Sequence, residues 1–347
     1  MRIDFRALPE RALVIHGGQH KTGSSAIQNT LASQRATLRE QGWLYPQTGC
    51  LLQEETGHRH RKLMSEIKRG QEMPLWRKLR DEIRDWPGRV LVSHENFFSP
   101  HVDPAILRTQ VPEDREVYLL AYLRHPADYV ESCYREWVRR WKYSGTLHDH
   151  YLQRRGYLDV EAQAQAWQDA FGAGHVLLRP YDRAHFEGGS VLTDFLAQLG
   201  MNPSLANVPA ACNDSLNSAQ VMVYLVANQL HASPLKRDAL ADLLADAKQA
   251  AAQFGEWESD DAVRSSPQHE KLETLQYVLN AAATSHRIME DWLLSEIEGT
   301  HLEAFRRTLA VHGAGRETLQ TSSYASLPHG AGLFNPSLRN AIERLIS

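Results

Sequence analysis

Residues 14–28 read VIHGGQHKTGSSAIQ, and the interpretation of the whole chain depends on this stretch. An apolar run that ends in glycines and leads into a helix-type pattern indicates a buried strand, a tight turn and a helix start. Such a turn directs backbone N–H groups and the positive end of the helix dipole toward an anion. Lys21 precedes Gly23, however, whereas the common nucleoside-triphosphate loop places its lysine directly after a glycine. The stretch predicts an anion loop of a different kind.

The side chains of this loop suit an anionic ligand. Gly23 lets the backbone approach a ligand closely, and Lys21 supplies a mobile positive charge. Ser24 and Ser25 add hydroxyl donors. An ordinary strand-to-helix turn with a serine N-cap would have the same composition, and the loop alone leaves both interpretations open.

Further strand-like runs alternate with helix-type segments over the first 200 residues. The five runs lie at 11–18, 42–46, 89–97, 116–126 and 175–181. Near-continuous apolar strands separated by helices predict a parallel sheet covered on both faces, with ligands bound beyond the carboxyl ends of the strands. Helix-type patterns dominate from residue 213. We therefore expect an α/β fold: a P-loop-like parallel sheet flanked by helices over 1–212, and an α-helical C-terminal elaboration over 213–347 packed on it.

Composition narrows the class of protein. A net charge of −4 and 42% hydrophobic residues are ordinary for a soluble globular protein and give no reason to expect a nucleic-acid partner. Cys50, Cys133 and Cys212 are far apart, which argues against a disulfide framework or a zinc site. We see no signal peptide and no apolar run of about 18 residues that would span a membrane. We expect a cytoplasmic protein without an integral membrane segment or a metal; its oligomeric state is not indicated.

A second motif gives the loop a more specific interpretation. The order Lys-Thr-Gly-Ser-Ser in HKTGSS resembles the first loop of sulfotransferases that use 3′-phosphoadenosine 5′-phosphosulfate (PAPS). Those enzymes carry an arginine after a later strand and a serine eight positions on, and YLRHPADYVESCYREW has Arg124 and Ser132 at that spacing. The resemblance is greatest to the bacterial branch, with openings of the HxGxHKTG type and a Ser-x-Glu-Asn third strand. It covers about residues 11 to 200.

The resemblance implies a PAPS site built from both motifs. Lys21 would hold the 5′-phosphosulfate, and Arg124 and Ser132 would bind the 3′-phosphate. The remaining loop residues would supply backbone and hydroxyl donors: Thr22, Gly23, Ser24, Ser25 and Ala26. Tyr181, after the fifth strand, would line the nucleotide cleft. In the cytosolic branch an aromatic residue at the position of Ala26 stacks on adenine, so another group must hold the base here.

The proton acceptor is expected at the end of the third predicted strand. Sulfuryl transfer depends on positioning and charge stabilisation, and a base must take the proton of the acceptor hydroxyl. His94 and Glu95 both lie at this end. Because adjacent strand residues point to opposite faces, we expect only one to reach the acceptor, and we favour Glu95. The alternative is structural: Glu95 would cap a helix or pair with an arginine, and His94 would be a satisfied polar residue under a loop. His20 and His60 are predicted to contact the acceptor, with a structural role as the alternative for each.

Three functions remain open from the sequence. The leading one is a PAPS-dependent sulfotransferase acting on a hydroxyl acceptor, a carbohydrate or another small or glycan molecule. A nucleotide or sugar kinase on the same topology is the second, and the order of the loop residues argues against it. A non-catalytic nucleotide-binding relative is the third, and the presence of a candidate base argues against that one.

Overall fold

The chain forms two compact units. The structure is a computed structural model that describes residues 4–50, 58–70, 72–206, 216–243, 269–282, 288–312 and 336–346. Within these residues, one unit is drawn from Met1–Tyr129, Arg155–Cys212 and Thr300–Gln320, and the other from Val130–Arg154, Asn213–Gly299 and Thr321–Ser347. Each unit thus combines stretches that are distant in sequence. The division into a core of residues 1–212 and a helical region of residues 213–347 stays a prediction.

The first unit contains a five-stranded parallel sheet, which confirms the predicted α/β fold. The strand order is β2-β3-β1-β4-β5, and every neighbouring pair is parallel. The strands are β1 (Leu13–Gly18), β2 (Trp43–Leu44), β3 (Arg89–Ser93), β4 (Val117–Leu123) and β5 (Val176–Pro180).

The central strand β1 is apolar throughout because both of its faces are covered. All six of its residues are buried. Leu13 and Ile15 belong to a core that also contains Trp76 and Trp167. Val14, between them, belongs to a second core. Alternate side chains of one strand therefore fill two hydrophobic layers, one on each side of the sheet.

Helices follow each strand. In chain order the first nine are α1 (Ser24–Ser33), α2 (Arg35–Glu40), α3 (Arg61–Arg69), α4 (Pro74–Ile83), α5 (Pro104–Arg108), α6 (Pro126–Arg140), α7 (Leu147–Arg154), α8 (Val160–Phe171) and α9 (Val191–Gln198). Helix α6 begins in the first unit, and its larger part and α7 belong to the second unit.

The described residues after 216 form helices and contain no strand, as expected for the C-terminal elaboration. These helices are α10 (Ser218–Gln229), α11 (Pro234–Leu243), α12 (His269–Ala282), α13 (Asp291–Ile297), α14 (Glu303–Val311) and α15 (Pro336–Ile346). Helix α14 belongs to the first unit, where Phe305 and Leu309 join the core around Trp167. No helix in the described part of the chain is both long and apolar enough to cross a membrane.

Candidate functional site

The first loop joins β1 to α1 through two left-handed backbone positions. Lys21 has φ 67°, and Gly23, the N-cap of α1, has φ 74°. Glycine adopts this region freely, whereas lysine enters it only at a cost. No side chain caps α1, so the N–H groups of its first turn remain directed at the loop. Such a helix start has backbone donors available, and its use as an anion site stays a prediction.

Hydrogen bonds from Gln19 fix the loop in place. Its backbone N–H donates to Tyr122 O at 3.1 Å, and its side-chain oxygen accepts from the Arg124 N–H at 2.8 Å. Its side-chain amide donates to Tyr157 O at 3.2 Å. Thr22 closes the turn by donating its hydroxyl to Gln19 O at 2.7 Å. Gln19 thus ties the end of β1 to the end of β4.

The donors of the predicted loop residues are unequally placed for a ligand. The Thr22 hydroxyl is used within the turn, and the Ala26 N–H donates to Gly23 O at 3.0 Å. Neither group fits its predicted role as a free donor. Ser25 is exposed. The Ser24 hydroxyl is buried and has no hydrogen-bond partner in the described part of the chain, which fits a bound anion that would accept a hydrogen bond from it.

Arg124 and Tyr181 lie beside the loop. Arg124 donates to Lys21 O at 3.1 Å, and its guanidinium lies 5.6 Å from the centre of the Tyr181 ring. A Cβ atom added to Gly23 would lie 3.5 Å from Tyr181 Cε2 and only 2.6 Å from Val191 Cγ1. The structure therefore brings together the loop, the arginine of the second motif and the tyrosine after β5.

Ser132, the other residue of the second motif, is buried in α6. It belongs to the second unit, whereas Arg124 belongs to the first. The pairing of Arg124 with Ser132 around a 3′-phosphate therefore stays a prediction based on their spacing in the sequence.

His94 and Glu95 both lie beyond the end of β3, so the premise that they alternate along a strand is wrong; which of them reaches an acceptor stays a prediction. Strand β3 ends at Ser93, and a single 3-10 turn begins at Glu95. The alternation of a strand therefore no longer applies. His94 Nδ1 lies 4.0 Å from Glu95 Oε2 and accepts a hydrogen bond from the Asn96 N–H at 3.1 Å.

Glu95 is held by an ion pair with an arginine, the structural alternative for this residue, and the arginine is one that the sequence analysis did not single out. Arg59 donates to Glu95 Oε1 at 2.6 Å, and the side-chain amide of Gln28 lies 3.3 Å from Oε2. Gln28 also donates to the Ser93 hydroxyl at 3.2 Å, and that hydroxyl lies 2.8 Å from His16 Nδ1. A buried polar chain thus runs from β1 to the carboxylate.

Positive charge near Glu95 lowers the pKa of its carboxyl group. Burial alone would raise its pKa, but the His94 ring, the Arg59 guanidinium and His20 together lower the pKa to about 2. Glu95 is therefore ionised at neutral pH, and it is a weak base for as long as Arg59 stays paired with it.

His94 is held neutral. Burial lowers the pKa of His94 to about 4 even though Glu95 opposes that change. Because Nδ1 accepts from Asn96, the proton of the neutral ring is assigned to Nε2, which makes that nitrogen a hydrogen-bond donor. Of the two candidates, Glu95 is the one that presents an ionised acceptor.

His60 does not fit the predicted contact with an acceptor. Its side chain is fully buried. Its Nδ1 accepts from the Ser93 N–H at 3.0 Å, and its Nε2 lies 3.0 Å from Pro46 O. Both ring nitrogens are therefore used, one to hold this segment to the end of β3 and the other to hold it to the residues after β2. His20, in contrast, is partly exposed and lies close enough to Glu95 to lower its pKa.

Two of the missed residues had a signal in the sequence. Arg59 stands beside His60 in residues 58–62, HRHRK, a run in which every side chain can carry a positive charge. Gln28 lies four positions after Ser24, and positions four apart share one face of a helix. Among the described residues, no three His, Cys, Asp or Glu side chains gather as a metal site.

Comparison with known proteins yields one relative by sequence and one similar solved structure. No family model matches the chain. An uncharacterized protein of Archaeoglobus fulgidus is 26% identical over 150 residues, which are 43% of this chain and 41% of that protein. The chain thus spans about two fifths of that relative's length. The crystal structure of a sulfotransferase from Alicyclobacillus acidocaldarius shares 15% identity with a TM-score of 0.39, covering 62% of this chain and 90% of its own.

Proposed function

We propose that the protein is a PAPS-dependent sulfotransferase that sulfates a hydroxyl group of a carbohydrate or another small or glycan acceptor. The observation that carries the proposal is the loop of residues 19–25 with Arg124 and Tyr181 beside it. A left-handed lysine, a left-handed glycine and a buried serine hydroxyl without a partner converge there at an uncapped helix start. The residue order of this loop, with lysine before glycine, separates it from triphosphate loops.

The residues present fit the phosphate groups of PAPS. Lys21 and the N–H groups at the start of α1 would bind the 5′-phosphosulfate, with the Ser24 hydroxyl as a further donor. Gly23 has no room for a side chain, because Val191 packs against it. Arg124 would bind the 3′-phosphate with Ser132, and Tyr181 would line the nucleotide cleft beside Arg124. Arg124 also fixes the loop through Lys21 O.

Four residues would act where the sulfuryl group is transferred. When bound, PAPS supplies the sulfuryl group and a phosphate as leaving group. Lys21 would stabilise the negative charge that grows on that phosphate. Glu95 would accept the proton of the acceptor hydroxyl, which requires its pairing with Arg59 to loosen. His94 would orient the acceptor through its Nε2 proton, and His20, partly exposed, would contact the acceptor.

Nucleotide binding tests the proposal directly. Calorimetric titration with adenosine 3′,5′-bisphosphate, AMP and ATP with Mg²⁺ separates the candidate functions. The proposal expects the bisphosphate to bind most tightly, because only it carries both phosphates of the donor. Tighter binding of ATP with Mg²⁺ would favour a kinase. Where the bisphosphate binds, transfer of label from PAPS to panels of hydroxyl acceptors then distinguishes an enzyme from a non-catalytic relative.

Substitution of Arg124 tests its proposed contact with the 3′-phosphate. Arg124→Ala should weaken binding of the bisphosphate by about 1.5–3 kcal/mol, the usual contribution of a hydrogen bond to a charged group. AMP should lose less, since it shares only the hydrogen bond from Arg124 to the loop. Arg69→Ala, at an exposed position at the end of α3, is the control and should leave both affinities unchanged. Equal losses for the two nucleotides in calorimetry would remove Arg124 from this role.

A further inference from the structure

A cluster of arginines lies at the amino ends of the strands, away from the candidate donor site. A cavity of about 420 Å³ in the first unit is lined mainly by arginines. They are Arg11, Arg77, Arg80, Arg84 and Arg115. Arg11 precedes β1 and Arg115 precedes β4, so the cavity lies at the amino ends of the strands.

This cavity is separate from the candidate donor site. The loop of residues 19–25, Arg124 and Tyr181 all follow the carboxyl ends of strands. The strands are parallel, and six residues of β1 span about 20 Å. A ligand in the cavity would therefore lie at the other end of the strands from the proposed PAPS site. The cavity has no part in the chemistry proposed above.

The arginines of the cavity are only partly neutralised. Arg11 is paired with Asp114, and Arg84 is paired with Asp81. Both aspartates line the cavity, so five arginines against two aspartates leave three positive charges. Among the described residues, no carboxylate forms an ion pair with Arg77, Arg80 or Arg115. The cavity thus lacks the anionic groups that would balance it.

Arg115 forms a fixed, buried part of the wall. Its side chain is 4% exposed. Its terminal nitrogens donate to the backbone oxygens of Arg11 at 3.1 Å and Ile83 at 2.9 Å, while its Nε has no partner among the described residues. Burial lowers the pKa of this guanidinium, Arg11 lowers it further, and Asp114 opposes them. The backbone oxygens of Gly88 and Trp86 also accept from its terminal nitrogens. Arg115 therefore adds a fixed positive charge to the wall, while direct contacts to a ligand fall to the other arginines.

Helix α4 presents two further cations to the same cavity. Arg77 and Arg80 lie three positions apart, and residues at this spacing share one face of a helix. Like charges at this spacing destabilise a helix. Arg77 is exposed and Arg80 is partly buried, with one hydrogen bond to Gln110 O at 3.4 Å. The nearby carboxylate, Asp81, is paired with Arg84, so among the described residues neither guanidinium has an ion-pair partner. An anion bound between the two would relieve their repulsion.

We propose that this cavity binds a small polyanion carrying phosphate or sulfate groups, with Arg77 and Arg80 as its principal contacts. The planar guanidinium fork matches the oxygen geometry of both groups and binds them with paired hydrogen bonds. The ligand would be distinct from the sulfuryl donor and would bind at the amino ends of the strands.

Calorimetry with inorganic pyrophosphate and with inorganic sulfate tests this site. The titrations use the full chain carrying Lys21→Ala, which weakens binding at the donor loop. Added Arg77→Ala should reduce the affinity for the better of the two anions by roughly ten-fold, the usual effect of losing a charge-assisted contact. Added Arg80→Ala should act in the same direction. Thermal unfolding of each variant establishes that it remains folded.

Lys78→Ala is the matched control. Lys78 is the neighbouring exposed cation on α4 and does not line the cavity. Its removal changes the net charge as Arg77→Ala does, so it should alter the affinity by about two-fold at most. Equal losses from Arg77→Ala and Lys78→Ala would show a diffuse charge effect and overturn the site. Failure of both anions to bind the protein with an intact cavity would overturn it as well.

Discussion

At the scale of single residues, the backbone of Lys21 is the most informative feature. A non-glycine residue in the left-handed region costs roughly 1–2 kcal/mol, and such positions concentrate at functional sites. The sequence identified Lys21 from its motif, but the motif carries no information about its backbone. The structure therefore adds a way to separate the role of the side chain from that of the loop.

Replacement of Lys21 should abolish turnover without unfolding the protein. Lys21→Ala removes the positive charge at the leaving phosphate, and such losses cost about 2.7–4 kcal/mol in the barrier. Lys21→Gly should lose as much activity while leaving the free energy of unfolding unchanged or up to about 1 kcal/mol higher, because glycine accepts the left-handed backbone. Rates with labelled PAPS and urea unfolding are the two measurements. Normal turnover in either variant would exclude Lys21 from the donor site.

Glu95 should be needed for the chemical step and much less for binding. Glu95→Gln keeps the shape of the side chain but should lose about 10²–10⁴ in turnover, the usual contribution of a general base. His94→Gln should cost less, because Nδ1 of His94 accepts from Asn96 and does not present a free acceptor. Single-turnover rates beside the affinity for adenosine 3′,5′-bisphosphate make the comparison. If His94→Gln is the slower variant, the role passes to His94.

Arg59 should control the pH dependence of turnover. It lowers the pKa of Glu95, so Arg59→Gln should raise that pKa. Activity of a base is lost as pH falls through its pKa, and the acid limb of the pH–rate profile should therefore move upward in Arg59→Gln. Arg61→Gln, two positions along at an exposed site, is the control. An unchanged limb in Arg59→Gln would mean that Glu95 does not titrate in the reaction.

Residue contacts across long sequence distances were the part that the sequence could not supply. Arg59 and Glu95 are 36 positions apart, and no spacing rule connects them. His60 was the more conspicuous residue of that run because histidine titrates near neutral pH. Its burial, and the two backbone groups that occupy its nitrogens, depend on how residues 58–60 lie against β3.

At the scale of elements, the strands were predictable and their ends were not. Continuous apolar runs identify buried parallel strands, and all five were found. The third run was extended to residue 97, but β3 ends at Ser93 because the chain turns into Glu95–Phe97. That one turn invalidated the expectation that His94 and Glu95 point to opposite faces.

The start of α1 should tolerate no side chain at Gly23. Gly23→Ala meets both a left-handed backbone and Val191 Cγ1 at 2.6 Å. Gly42→Ala is a matched control, since Gly42 has φ 79° but nothing within 4 Å of an added Cβ. Gly42→Ala should cost about 1–2 kcal/mol from the backbone alone. Gly23→Ala should cost about 1–3 kcal/mol more from overpacking, and should lose nucleotide binding.

Urea unfolding of the two glycine variants side by side measures this difference. Equal destabilisation would show that α9, which carries Val191, yields to the added methyl group. Retained affinity for adenosine 3′,5′-bisphosphate in Gly23→Ala would show that the loop binds its ligand without a close backbone approach.

At the scale of the whole molecule, buried histidines should make the protein sensitive to mild acid. Burial lowers the pKa of His16 to about 3 and those of His60 and His94 to about 4. In the unfolded chain each takes up a proton near its ordinary value of 6.5. The unfolded state therefore binds more protons below pH 6.5, and stability present at neutral pH falls as the pH drops toward 4.

The free energy of unfolding in urea, followed from neutral pH downward, measures this loss. Each such histidine contributes a slope on the order of 1.4 kcal/mol per pH unit within that window. His94→Gln keeps an acceptor for the Asn96 N–H and should show a shallower slope than the natural protein. Glu95 affects stability only at lower pH, between its ordinary pKa of 4.5 and its pKa of about 2 in the folded protein. If the free energy of unfolding stays constant as the pH falls from 6.5 to about 4, these histidines are not held neutral by burial.

Residues near the end of the chain complete the core of the first unit, and this affects how the protein folds while it is being synthesised. Leu302, Phe305 and Leu309 complete the core around Trp167, although they are made long after the five strands. A nascent chain that has emerged only as far as residue 212 therefore presents an open apolar face, which favours aggregation until the later segment arrives. Chaperone dependence and the failure of short expression fragments are the expected signs of this order of assembly.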